Sequence, residues 1–132
     1  MTSFEMAQRL NGNQYLSEMT PEDERIAKES SLVVVFGYSD DNIEFRGAIE
    51  DEIGCFEGGD IWIDKTGVVR EEDLPNHPEA KLIRAVWCGL SGASWEYETD
   101  IWHDTFEIYE DGELYCVGIV FALEDIKKGD SR

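Results

Sequence analysis

The sequence predicts an α+β fold: one or two N-terminal helices packed on a twisted antiparallel sheet of about five to seven strands. Three observations carry that expectation. Segments with helical spacing and helix caps lie within residues 1–30. From residue 31 the chain changes to short β-branched and aromatic runs separated by Gly, Asp and Asn, the pattern of strands joined by tight turns. Near the C-terminus two apolar arms flank Asp111 and Gly112, a pair suited to a hairpin turn with positive φ. The expected organisation is a single domain over residues 1–132, with helices within residues 1–30, a sheet over residues 31–126 and a tail over residues 127–132.

Each element has its own reason. In "TSFEMAQRLNG" the residues Phe4, Ala7 and Leu10 recur at helical spacing before Gly12, which predicts a short helix, with a frayed arm as the alternative. In "TPEDERIAKES", Thr20 is an N-cap and Pro21 a first helical residue, with Glu22, Asp23 and Glu24 at the start and Lys28 near the end. That order complements the helix dipole at both termini. "LVVVFG", Leu32 to Gly37, reads as a central strand buried on both faces. After "SDDN", Ile43, Phe45 and Ile49 alternate with Glu44, Arg46 and Glu50, which predicts a strand with one wet face.

Ile61 to Ile63 reads as a strand turning at "DKTG", and 68–78 as a polar loop. "KLIRAVWC" fits either a strand or a helix begun at Pro78, and strand is favoured because Ile83, Ala85 and Trp87 share a face that Gly89 closes. "SWEYETDI" sets Trp95, Tyr97 and Thr99 against Glu96, Glu98 and Asp100, and "CGLSGAS" before it reads as a turn. "TFEIYEDGELYCVGIVFAL" is the hairpin.

Charge dominates the composition. The chain has 30 acids against 11 bases, a net charge of −19. The excess is concentrated: Ser39–Asp64 carries a net −8 and Gly89–Ile126 a net −10, the latter without Lys or Arg. Nucleic acids and anionic membranes are bound chiefly by Lys and Arg neutralising phosphate, so both are expected to be repelled. A basic protein would be attracted and steered. No basic leader precedes an apolar stretch, and the longest apolar run, "CVGIVFAL", is too short to span a membrane, so a cytoplasmic location is expected. Cys55, Cys88 and Cys116 are odd in number and widely spaced, which predicts buried reduced thiols.

Four chemistries compete for the carboxylates. No cofactor or metal is expected: "DDNIEFRGAIED" places Ile43 and Phe45 where a calcium loop needs oxygen ligands. Zinc would need Cys55, Cys88, Cys116, His77 and His103 to converge from separate segments. Catalysis would centre on His103 with Asp100 or Asp104, as in a small hydrolase or metal-dependent enzyme. No nucleophile motif accompanies them, and the acidic surroundings of Cys55 and Cys88 disfavour a thiolate. A halophilic surface would be acidic throughout, whereas here balanced stretches flank the acidic ones.

The fourth reading is a binding face. In Gly89–Ile126 aromatic and acidic residues alternate, which predicts a row of acids on one side of the strands and aromatics on the other. Asp100, Asp104, Glu107, Glu110, Asp111 and Glu113 carry the charge, with Trp102 as the apolar anchor. Asp40, Asp41, Glu44, Glu50, Asp51 and Glu52 form a second patch.

The runs "FGYSDDNIEFRGAIEDEIGCFEGGDIWI" and "SWEYETDIWHDTFEIYEDGELYCVGIVFALEDI" resemble small acidic proteins encoded by bacteriophages and prophages, over Leu32 to Ile126. The resemblance implies a protein of the infected bacterial cytoplasm, and such proteins include many that block host or defence nucleases by occupying nucleic-acid sites. The leading expectation is therefore a non-enzymatic acidic inhibitor that docks on a basic, nucleic-acid-binding surface of a host or defence protein. The enzyme centred on His103 and a homo-oligomer that sequesters a small ligand are the alternatives.

Overall fold

A computed structural model of the chain describes residues 1–13, 19–55, 58–88 and 95–127, with the side chains of all of these except 51–55, 58 and 127. The expected turn at "CGLSGAS", apart from Cys88, and the tail from residue 128 lie outside the described residues.

The fold is α+β: two antiparallel sheets pack face to face, and two N-terminal helices cover the outer face of the first. Helix α1 (Ser3–Leu10) and helix α2 (Pro21–Glu29) both begin with a capping box. The side chains of Thr2 and Thr20 accept from the backbone N–H three residues on, and Glu5 and Asp23 reach back to the cap N–H. Each box satisfies donors that a helix start otherwise leaves unpaired.

The first sheet takes the order β3 (Asp51–Cys55), β2 (Asn42–Gly47), β1 (Leu32–Tyr38), β9 (Glu113–Ala122), β8 (Asp104–Glu110). The second takes β5 (Gly67–Val69), β4 (Gly58–Asp64), β6 (Lys81–Trp87), β7 (Trp95–Thr99). The expectation of one sheet with five to seven strands is thus corrected to nine described strands in two sheets. The reason is burial: β1 is buried at every residue, and a strand apolar on both faces needs a layer on each side.

Alternation along β1 separates two cores. Leu32, Val34, Phe36 and Tyr38 face α1 and α2, meeting Met6, Ala7, Leu10 and Ala27. Val33 and Val35 face the second sheet, with Ile43, Phe45, Ile119 and Phe121 on their side and Ile61, Ile63, Ile83, Ala85 and Trp95 opposite. The two sheets are also pinned by polar bonds. Trp95 Nε1 donates to the Tyr38 carbonyl at 3.1 Å and the Tyr97 hydroxyl to the Val117 carbonyl at 2.9 Å, so both inward polar groups are satisfied in the core.

Local expectations are corrected in three places. The sheet ends at Ala122 and α3 (Leu123–Lys127) follows, because Leu123 and Ile126 stand one helical turn apart and Ile126 seats in the inter-sheet core. The loop 68–78 contains the end of β5 and a 3-10 turn over Glu71–Asn76. Helix α1 turns Met6, Ala7 and Leu10 inward and leaves Phe4 exposed. Of the thiols, Cys116 is buried but Cys88, just beyond β6, is exposed, while the Cys55 side chain lies outside the described ones.

Candidate interaction surface

The structure distributes the predicted acids by the strand that carries each. On β8 the two-residue period puts Asp104, Phe106 and Ile108 on the helix side and Glu107 on the other. Tyr109 donates its hydroxyl to Glu107 at 2.9 Å. Acids and aromatics therefore share faces of β8, which corrects the expected separation into an acidic row and an aromatic row. Its physical source is the spacing itself, since Asp104 and Phe106, like Glu107 and Tyr109, stand two residues apart on the strand; Ser3, the first helical residue of α1, donates its hydroxyl to Asp104 at 2.5 Å.

The second predicted patch divides. Glu44 pairs with Arg46 at 2.9 Å and Glu50 with Lys28 of α2 at 2.6 Å, so these acids meet cations from their own strand or from the helix layer. The Lys28 partner holds the Glu50 carboxyl below its ordinary range. The side chains of Asp51 and Glu52 lie outside the described ones. Asp40 and Asp41 form the β1–β2 turn, Asp41 with a positive φ of 69°.

That turn meets the β8–β9 hairpin. Tyr38 stands opposite Cys116, and Ser39 donates its N–H to the Tyr115 carbonyl at 3.1 Å. Asp40 and Asp41 thus lie at the same end of the first sheet as Glu110, Asp111 and Glu113, all three of which are exposed. Asp100, Trp102 and Asp104 lie at the opposite end of β8, about 20 Å away at some 3.3 Å per residue. Apart from Glu107 midway along β8 and the paired Glu44 and Glu50, the predicted charge-bearing residues with described side chains therefore fall into two groups at the two ends of this strand.

The Asp104 end has a second property. Trp102 is 64% exposed, Phe4 56% and Met1 46%, and they are the large apolar side chains most exposed among the described residues. All three lie within two residues of a partner in the Ser3–Asp104 hydrogen bond. The start of α1 and the loop between β7 and β8 are thereby held together. Exposed Asp100 and half-buried Asp104 stand at the two ends of that loop. Exposed apolar side chains with carboxylates alongside have the composition of an interface anchor with a polar rim.

His103 adjoins this end. Its Nδ1 bonds the Ile101 carbonyl at 2.9 Å, and because a carbonyl can only accept, Nδ1 carries the hydrogen. The expected carboxylate orienter is thus replaced by backbone, and Asp104 is taken by Ser3. His103 and Asp100 instead line a groove of about 700 Å3 with Trp62, Lys81, Arg84 and Glu98.

Sequence reasoning missed the pairing of His77 with Asp64. His77 Nδ1 lies 2.7 Å from Asp64 Oδ2, and the Thr66 N–H donates to Asp64 Oδ1 at 2.8 Å. Burial works against the ionised Asp64, but these hydrogen bonds outweigh it and hold its carboxyl below the ordinary range. No hydroxyl or thiol of a described residue bonds His77, so the pair ties the loop after β5 to the end of β4. Thirteen residues separate the partners, and no local pattern links them.

Among the described residues no three of His, Cys, Asp and Glu converge as metal ligands, and no described helix is long and apolar enough to cross a membrane. Burial pushes the Cys116 thiol far above its ordinary value, which keeps it protonated and unreactive. No protein-family model, no curated protein and no solved structure matches the chain.

Proposed function

We propose that this protein is a non-enzymatic acidic binding protein that docks its Trp102 end on a basic, nucleic-acid-binding surface of another protein and competes with nucleic acid there. The observation that carries this reading is the grouping of exposed Trp102, Phe4 and Met1 about the Ser3–Asp104 bond, with Asp100 alongside. An exposed Trp costs little to order on binding and fills an apolar pocket, while the acids around it select a cationic rim. The net charge of −19 steers a basic partner from a distance and repels nucleic acid itself. The acids at the hairpin end widen the attracting field without needing to touch the partner. The resemblance to small phage-encoded proteins makes a host or defence nuclease of the bacterial cytoplasm the expected kind of partner.

The test is a bacterial lysate passed over the immobilised protein at low and high salt, with each captured protein assayed for DNA binding in the presence of added free protein. A partner that is released by salt, binds DNA and loses that DNA to the protein is the expected result. Trp102→Ala should weaken its capture at least tenfold, the scale of an interface hot spot. Equal capture by wild type and Trp102→Ala, or a partner that holds DNA and this protein together, would overturn the reading.

A further inference from the structure

The face of the second sheet turned away from the core carries a separate site. Asp60, Trp62, Leu82, Arg84, Glu96 and Glu98 point outward there, because their neighbours Ile61, Ile63, Ile83, Ala85, Trp95 and Tyr97 point inward. At one end of this face the sheet surface and the loop after β7 bound the groove of about 700 Å3. That volume lies within the usual range of small-ligand sites.

The lining decides the ligand class. Trp62 supplies a half-buried aromatic ring and Leu82 an apolar neighbour, directly across the β4–β6 ladder. Around them stand donors and acceptors in alternation. Arg84 on β6 is the cross-strand partner of Glu98 on β7, a separation of about 5 Å between such side chains at their roots. Arg84 Nε is already bonded to Asp60 at 3.0 Å, which leaves its terminal nitrogens. Lys81 ion-pairs with no described residue, Asp100 is exposed beside it, and His103 keeps Nε2 unbonded among the described residues. Charges interleaved at this spacing offer no single pole. A cation meets Lys81 and Arg84; an anion meets Glu98, Asp100 and the field of a −19 protein. A neutral ligand with many hydroxyls meets neither objection. Each hydroxyl both donates and accepts, so it matches a lining of mixed sign, and the apolar C–H face of a sugar ring matches the flat Trp62 ring.

We infer that this groove binds a neutral saccharide. The groove borders the docking surface at Asp100, but the two readings rest on different aromatic side chains, Trp62 and Trp102, and so are tested by different variants. The experiment is a titration of the whole protein, followed by tryptophan fluorescence and calorimetry, with neutral hexose oligomers from α- and β-linked glucans. Anionic sialyl-oligosaccharides and cationic glucosamine oligomers are the comparison arms. Saturable binding of a neutral oligomer is expected, at least tenfold weaker in Trp62→Ala and in the surface variant Glu98→Ala, and unchanged in Trp102→Ala. Circular dichroism of each variant separates lost binding from lost folding, and Glu98→Ala, an exposed change, keeps the test open if Trp62→Ala unfolds. Binding of the charged oligomers in preference to the neutral ones, binding indifferent to both groove variants, or no binding of any neutral oligomer would overturn the inference.

Discussion

Asp23 shows how one side chain serves two elements. It completes the capping box of α2 and also accepts from Arg9 of α1, whose Nε lies 2.9 Å from its Oδ1. Burial opposes the ionised form, but the hydrogen bonds from Arg9 and Thr20 outweigh it, so its carboxyl sits below the ordinary range. A depressed carboxyl contributes stability that is present above its unfolded-state value, near 3.8, and is lost as pH falls through the folded one. Asp23→Asn should therefore destabilise the fold by about 1–2 kcal/mol at neutral pH. The gap to wild type should close as pH falls below about 4. Urea denaturation of both proteins at several pH values measures it, and a gap independent of pH would contradict the assignment.

At the scale of elements, the strands are set by where aromatic rings need room. Gly118 on β9 lies under the Phe106 ring and against the Val35 carbonyl, and Gly37 on β1 lies under Trp95 and the Tyr97 hydroxyl. A methyl group at either place would collide with a buried ring or with backbone. Gly118→Ala is expected to cost about 1–3 kcal/mol, the scale of overpacking, measured as a lower urea midpoint with an unchanged slope. The hairpin offers a milder case. Asp111 and Gly112 both adopt positive φ, 53° and 82°, and open space surrounds Gly112. Gly112→Ala should cost about 1 kcal/mol through backbone strain alone, so its melting temperature should fall less than that of Gly118→Ala.

Across the whole molecule the charge is unevenly compensated. Arg9, Arg25, Lys28, Arg46 and Arg84 each pair with a carboxylate, yet the hairpin and loop ends keep exposed acids. Self-repulsion of that excess is screened by salt over roughly 10 Å at 0.1 M. The melting temperature should rise by several degrees between low salt and about 0.5 M, with the protein already folded at the lower end. Unfolding at low salt would instead restore the halophilic reading of its composition. The same screening should slow association with a basic partner, so stability and on-rate should respond to salt in opposite directions.

Much of the local architecture was legible in the sequence, because capping residues, two-residue alternation and turn residues act over short range. Thr20 with Pro21, the apolar run from Leu32, the alternation of Trp95, Tyr97 and Thr99, and the turn at Asp111–Gly112 all stand where the residues indicate. The division into two sheets was not legible, because pairing depends on which apolar faces meet across the core and not on any strand's own pattern. The same holds for the surface. The sequence determined that the protein is strongly acidic and that Trp102 sits among acids. Only the tertiary structure decided that Glu50 is neutralised by Lys28, that Asp40 and Asp41 join the far hairpin, and that Ser3 brings Phe4 to the Trp102 end. Charge is a property of each residue, whereas its cancellation or accumulation depends on distances that close only when remote segments pack.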